Sequence, residues 1–251
     1  MSATAHHPTY VYGILSAEAE PPQVEGIGGA PLQEVRSYGL AALVSDLGER
    51  ELVLGREEMT THARVLERAL ESGTVLPMRF GVVMDGEEAV RQTLLEAHRA
   101  ELDDQLREMA GKVELRLRAV YEEASVMGEV VRENPEIARL RESLRGAPED
   151  ATYYARIQLG EMVAAAAERK REQDARQMLD RLRGLALATE IGESSDPRIV
   201  LNASFLVERD QMAEFDALVD EIGREQAARM RLKYTGPLPP HSFVRLHTGE
   251  A

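Results

Sequence analysis

The chain contains no cysteine and no tryptophan among its 251 residues. The absence of cysteine excludes disulfides, zinc–thiolate and iron–sulfur sites, and cysteine nucleophiles. It fits a reducing cytoplasm. Aromatics make up only 4% of the chain against 43% hydrophobic residues, so its cores must be aliphatic, built from Leu, Val, Ala and Met. No apolar run approaches the roughly 20 residues needed to cross a bilayer. The stretch Met1–Pro8 is polar and lacks the apolar core of a signal peptide. The chain is therefore expected to be soluble and intracellular. Basic residues are in deficit, 30 against 44 acidic, for a net charge of −14. That balance disfavours nonspecific binding to nucleic acid or anionic membranes, although a local basic patch remains compatible with it.

Catalytic and cofactor signatures are scarce too. Gly26-Ile-Gly-Gly29 is followed by Ala30-Pro31 and a strand, not by the helix a nucleotide fingerprint requires, and reads as a plain loop. Gly111-Lys112 is followed by Val113, without the hydroxyl residue of a P-loop. There is no G-x-S-x-G elbow. His62 and His98 lie on separate helices without metal-ligand spacing. His62 reads as a surface or boundary residue bonding locally, and His98 as a boundary core residue. The acidic pairs Glu57-Glu58, Glu87-Glu88, Asp103-Asp104 and Glu122-Glu123, like the run Glu168–Glu172, have the pattern of solvated helix faces. No enzyme activity, cofactor or metal is expected.

The most informative segment is Val75-Leu-Pro-Met-Arg-Phe-Gly-Val-Val83. It reads as a strand, yet Pro77 removes a ladder donor and belongs at a strand start or edge. Arg79 among apolar neighbours calls for a partner, and Glu58, Glu67 or Asp85 are the candidates for an ion pair. Gly81 permits a bulge or a close backbone approach.

Around it, Tyr10–Leu15 is expected to be a strand, and Leu32–Arg36 with Leu40–Asp46 a hairpin. Met59, Ala63, Leu66 and Leu70 define one face of a helix over Arg56–Ser72, closed by Gly73. Glu87–Ala110 reads as one long helix ended by Gly111. Lys112–Tyr121 alternates, with Val113, Leu115, Leu117, Ala119 and Tyr121 inward and Lys112, Glu114, Arg116 and Arg118 outward. Short helices follow near Glu122–Arg132 and Pro135–Arg145, then a long helix over Ala151–Arg183 and strands at Leu185–Ile191 and Ile199–Val207. Asp210 is placed to cap a helix carrying Met212, Phe215, Val219 and Ile222, and a last strand holds Met230, Leu232 and Tyr234.

These elements predict an α+β chain of two domains. Residues 1–8 form a disordered tail and 9–111 a smaller N-terminal α+β domain. Residues 112–246 form a C-terminal ferredoxin-like domain of βαββαβ order with a helical insert at 122–145, followed by a tail at 247–251. In that arrangement the first and last strands are neighbours, which sets Lys112, Arg116 and Arg118 beside Arg229, Arg231 and Lys233 as a basic face. The face suits an acidic protein partner. RNA is disfavoured, because Tyr121 and Tyr234 fall on the inward side and cannot stack bases.

Leu76-Pro-Met-Arg-Phe-Gly81, with Tyr10-Val-Tyr-Gly-Ile14 and Ser242-Phe-Val244, resembles the GvpL/GvpF family of gas vesicle proteins over residues 9–246. The resemblance implies an accessory role in gas vesicle formation. Gas vesicles are protein shells built from a small, very hydrophobic subunit, and this chain is too large and too charged to be that subunit. It would bind the shell subunit and other vesicle proteins during assembly, as a chaperone-like or minor structural component in the cytoplasm or at the shell. The contact is expected at Pro77, Arg79, Phe80 and Gly81, or in the groove between the domains, with Arg116, Arg118 and Arg231 forming the basic docking face. The ten methionines are compatible with an adaptable apolar surface. The alternative is a ligand-binding regulatory module, which rests on fold analogy alone.

Overall fold

The computed structural model describes residues 7–48, 52–53 and 55–245. The chain divides into two compact units, one of residues 1–115, 206–209 and 236–251, the other of 116–205 and 210–235.

The first unit is built around strand β1 (Pro8–Ser16), which is buried along its length from Thr9 to Leu15. Strands β2 (Gln33–Ser37) and β3 (Leu40–Asp46) form the expected antiparallel hairpin, turning on Tyr38 and Gly39 at φ 47° and 86°. Helix α1 (Arg56–Ser72) has the bounds its spacing predicts. Its buried face is His62, Val65, Leu66, Ala69 and Leu70, whereas Met59 and Ala63 are exposed. The phase is thus rotated from the expected one, and His62 lies inside.

The segment 75–83 is not one strand. Strand β4 (Val75–Pro77) and strand β5 (Val83–Asp85) both pair antiparallel with β1, and the chain between them leaves the sheet. Met78 still donates to the Tyr12 carbonyl at 2.9 Å, and Val11 donates to the Val82 carbonyl at 3.0 Å, so the departure spans Arg79–Gly81. Gly81 adopts φ 94°, which a side-chain-bearing residue rarely tolerates. The sheet order is β2-β3-β1-β4, with β5 also on β1. Pro77 therefore sits in an edge strand, as its missing donor requires.

The expected helix 87–110 is broken as well. Helix α2 (Gly86–Ala89) runs into a π-helical turn at Val90–Glu96, and helix α3 (Arg99–Met109) starts after His98 leaves helical geometry at φ −111° and ψ 17°. Ala97 donates to the Gln92 carbonyl, the i→i−5 bond of a π-turn. The unit's core joins Val11, Ile14, Val35, Val44, Leu76 and Leu102 with Leu206, Phe243 and Val244 from much later in the chain.

The second sheet contains β6 (Lys112–Tyr121), β7 (Ala188–Ile191), β8 (Ile199–Glu208) and β9 (Met230–Leu238) in the order β7-β8-β6-β9. First and last strands are neighbours, as expected. Between β6 and β7 lie α4 (Glu123–Glu133), α5 (Pro135–Ser143) and α6 (Glu149–Leu182). At 34 residues, α6 is about 50 Å long. Helix α7 (Met212–Gln226) links β8 to β9. Asp210 does not cap it; a 3-10 turn over Arg209–Gln211 precedes the helix, and Gln211 is the cap residue. Phe205 and Phe215 pack 5.2 Å apart in the core of this unit. Residues 1–6 and 246–251, on which both expected tails largely fall, lie outside the described residues, and Pro8 already belongs to β1.

Candidate functional site

Arg79–Gly81 are held from beneath by a buried polar cluster. Alternation along β1 puts Tyr10 and Tyr12 on one face, towards α1. The Tyr10 hydroxyl lies 2.9 Å from His62 Nδ1, and the Gly81 amide donates to it at 3.1 Å. Accepting from Gly81 leaves the hydroxyl's own proton free to be donated to Nδ1, an arrangement that puts the proton of neutral His62 on Nε2. Nε2 is buried without a hydrogen-bond partner. Burial, then the nearby His241, push the His62 pKa down to about 4, with the Met78 backbone opposing them. Burial raises Tyr10 to about 12. Alongside, the Tyr12 hydroxyl accepts from the Ile27 amide at 2.7 Å and meets Ser45 Oγ at 2.9 Å, tying the Gly26–Gly29 loop to the same cluster.

Phe80 lids this cluster, its ring 5.7 Å from His62 and 6.3 Å from Tyr10. It is half-buried, Pro77 and Met78 are buried, and Arg79 is exposed. The expected ion pair of Arg79 does not form: among the described residues it reaches neither Glu58, Glu67 nor Asp85. The reason is geometric. The loop lifts Arg79 off the sheet into solvent, where burial no longer demands a partner. In a chain so poor in aromatics, the gathering of Tyr10, Tyr12, His62 and Phe80 was missed from sequence, although the i, i+2 spacing of the tyrosines was a visible sign.

A second anchor joins the motif at 242–244 to the same unit. Glu114, expected outward by strand alternation, is fully buried. Its carboxylate accepts from the Ser242 amide at 2.7 Å and the Ser242 hydroxyl at 2.9 Å. The Gln105 side chain copies a backbone pair, accepting from the Arg245 amide and donating to the Arg245 carbonyl, each at 2.9 Å.

In the second unit, Arg116, Arg118, Arg231 and Lys233 are exposed on the neighbouring strands β6 and β9. Arg231 is paired with Glu122. Arg229 does not join them. It turns inward, donating to Glu129 at 2.8 Å and to Asp174 at 2.7 Å, with the Tyr121 hydroxyl on the same Asp174. Lys170, expected on a solvated face, bridges Glu129 at 3.0 Å and Glu133 at 2.9 Å and is largely buried. Burial alone would raise the Glu129 pKa, but hydrogen bonds from Arg229 and Lys170 outweigh it and hold the carboxyl below its ordinary value. Burial, then Asp174, pushes the Tyr121 hydroxyl up. This network is structural: each charge in it faces an opposite one. Lys112, in the first unit, donates to the Glu108 carbonyl.

Among the described residues, no group of three or more His, Asp or Glu is arranged to hold a metal ion, and no helix is long and apolar enough to cross a membrane.

The family model described as gas vesicle synthesis protein GvpL/GvpF matches residues 8–245. The chain is 39% identical to gas vesicle protein F of Streptomyces sp. (strain CB03234), covering 94% of this chain and 99% of that protein. It is 28% identical to gas vesicle protein F of Haloferax mediterranei, covering 96% and 94%. The crystal structure of GvpF from Anabaena sp. PCC7120 superposes with a TM-score of 0.83 at 22% identity, covering 96% of this chain and 99% of that one. GvpF from Microcystis aeruginosa gives 0.78 at 22% identity, covering 95% and 99%.

Proposed function

Because the chain belongs to the GvpL/GvpF family of gas vesicle synthesis proteins, we propose that it is a non-catalytic accessory protein that binds the hydrophobic shell subunit and other vesicle proteins during assembly. In this reading it acts in the cytoplasm or at the growing shell, as a chaperone-like factor or a minor structural component. A shell subunit exposes apolar faces and strand edges before it polymerises, and covering them limits aggregation.

The observation that carries the reading is the loop over Arg79–Gly81. It presents an exposed guanidinium beside the half-buried Phe80 ring, with Pro77 and Gly81 setting its shape, on a base fixed by Tyr10. An exposed Arg79 that makes no ion pair among the described residues, beside a partly exposed ring, suits docking. We read the second sheet's strand order as ferredoxin-like. Its outer face, with Arg116, Arg118 and Arg231, is then a second contact for an acidic vesicle protein.

Co-expression with the small shell protein, followed by affinity capture and by flotation of cells lacking this gene, tests the proposal. Capture together with loss of buoyant vesicles supports it. Intact vesicles without capture overturn it.

A further inference from the structure

Each sheet edge of a soluble protein needs protection against pairing with another chain. Among the described residues, three edges have it. The β2 edge carries the Glu34–Arg36 ion pair, and Arg91 from the π-helical turn donates to the Arg36 carbonyl at 2.5 Å. Strands β4 and β5 have three residues each, and β4 ends on Pro77. Strand β9 bears Arg231 and Lys233 and continues to Pro237.

Strand β7 is also short, at four residues, but has no ion pair among the described residues. It lies at the other end of the second sheet, paired only with β8. It holds no lysine, arginine or proline. Leu187 just before it and Ile191 at its end are 54% and 55% exposed. The Gly192 amide donates to the Asn202 carbonyl at 2.8 Å, which places the even-numbered backbone groups on the β8 side. By alternation, the amides and carbonyls of Thr189 and Ile191 point to the open side. The surrounding charge is acidic: Glu190 and Glu193 are exposed and make no ion pair among the described residues, while Asp196 is taken by Arg198.

We propose that the open edge of β7 receives an extended segment of a partner protein by strand addition, a segment with alternating apolar residues flanked by lysine or arginine. The free backbone groups of Thr189 and Ile191 define the extended backbone, Leu187 and Ile191 the apolar positions, and Glu190 with Glu193 the basic flanks. A second copy of this chain is the poorer occupant, because it would set these carboxylates against their own kind on molecules that each carry a net charge of −14. The partner at this edge need not be the shell subunit.

The test uses a displayed library of random ten-residue peptides, selected on the full-length protein and counter-selected on an Ile191→Lys variant. Ile191 is exposed, so the variant should keep its melting temperature, and Leu187→Lys serves as a second variant. The expected enriched peptides alternate apolar residues between basic flanks. They should bind both variants at least tenfold more weakly, lose binding when alternate amides are N-methylated, and slow hydrogen exchange at the Thr189 and Ile191 amides. Failure to enrich over Ile191→Lys, or undiminished binding by the methylated peptides, overturns strand addition. A concentration-dependent dimer in light scattering that Ile191→Lys abolishes overturns the assignment in favour of self-pairing.

Discussion

The Tyr10 hydroxyl receives the Gly81 amide at 3.1 Å, so a central strand residue sets the left-handed turn that lifts Arg79 into solvent. Removing that oxygen takes a partner from two groups at once, the part-buried Gly81 amide and the buried His62 Nδ1. Tyr10→Phe is expected to destabilise the protein by about 1–3 kcal/mol, the usual cost of leaving buried polar groups unpaired. Urea unfolding checks this. Capture of the shell protein should weaken in the same variant under conditions where it remains folded.

Arg79 offers the complementary case. It is exposed and makes no ion pair among the described residues, so Arg79→Ala should shift stability by less than about 0.5 kcal/mol, as surface changes generally do. Its effect should appear in capture of the shell protein alone. A variant that melts earlier and binds normally would reassign Arg79 to a structural role.

His62 makes stability depend on pH. Its folded pKa, about 4, lies below the ordinary 6.5, so the unfolded chain takes up the proton first as pH falls. Stability contributed by neutral His62 is complete above about 6.5, declines from there to about 4, and is gone below. The shift corresponds to about 3 kcal/mol. Urea midpoints measured between pH 7 and 4 should fall steeply for the native protein and less steeply for His62→Gln.

Arg229 and Arg231 sit two residues apart and should behave oppositely. Arg229→Ala leaves the buried Asp174 without its cation and Glu129 with Lys170 alone, a change that costs about 3–5 kcal/mol for a buried pair. Arg231 is 84% exposed despite its pairing with Glu122, and Arg231→Ala should cost less than about 1 kcal/mol. Thermal unfolding of the two variants side by side decides this.

Ser242→Ala removes one of the two hydrogen bonds that Glu114 accepts from this residue. Bonds to a charged acceptor are worth about 1.5–3 kcal/mol, so local protection of residues 239–245 should fall by about that amount. Native-state hydrogen exchange across the segment reads it directly.

How far the sequence carried depends on whether periodicity or a distant partner decides each residue. Helix α1 and strand β6 have the bounds their spacing predicts, because a solvent-facing side fixes the period. Segment 75–83 failed as one strand, since the excursion at Arg79–Gly81 depends on pairing both flanks with β1. Glu114 obeys no alternation rule because its partner is 128 positions away, and Arg229 turns inward because α4 and α6 place carboxylates there. Pro77 at a strand edge and the special backbone at Gly81 were legible; the tyrosine–histidine base beneath them was not, since His62 falls one residue from the expected face.

The seating of Phe243 and Val244 among core residues of the first unit has a bearing on synthesis. Translation delivers residues 8–115 long before these two side chains and Ser242 exist. Until then the Glu114 carboxylate lacks its Ser242 donors, and the part of the core that Phe243 and Val244 cover stays open. The first unit to be made is therefore among the last to close.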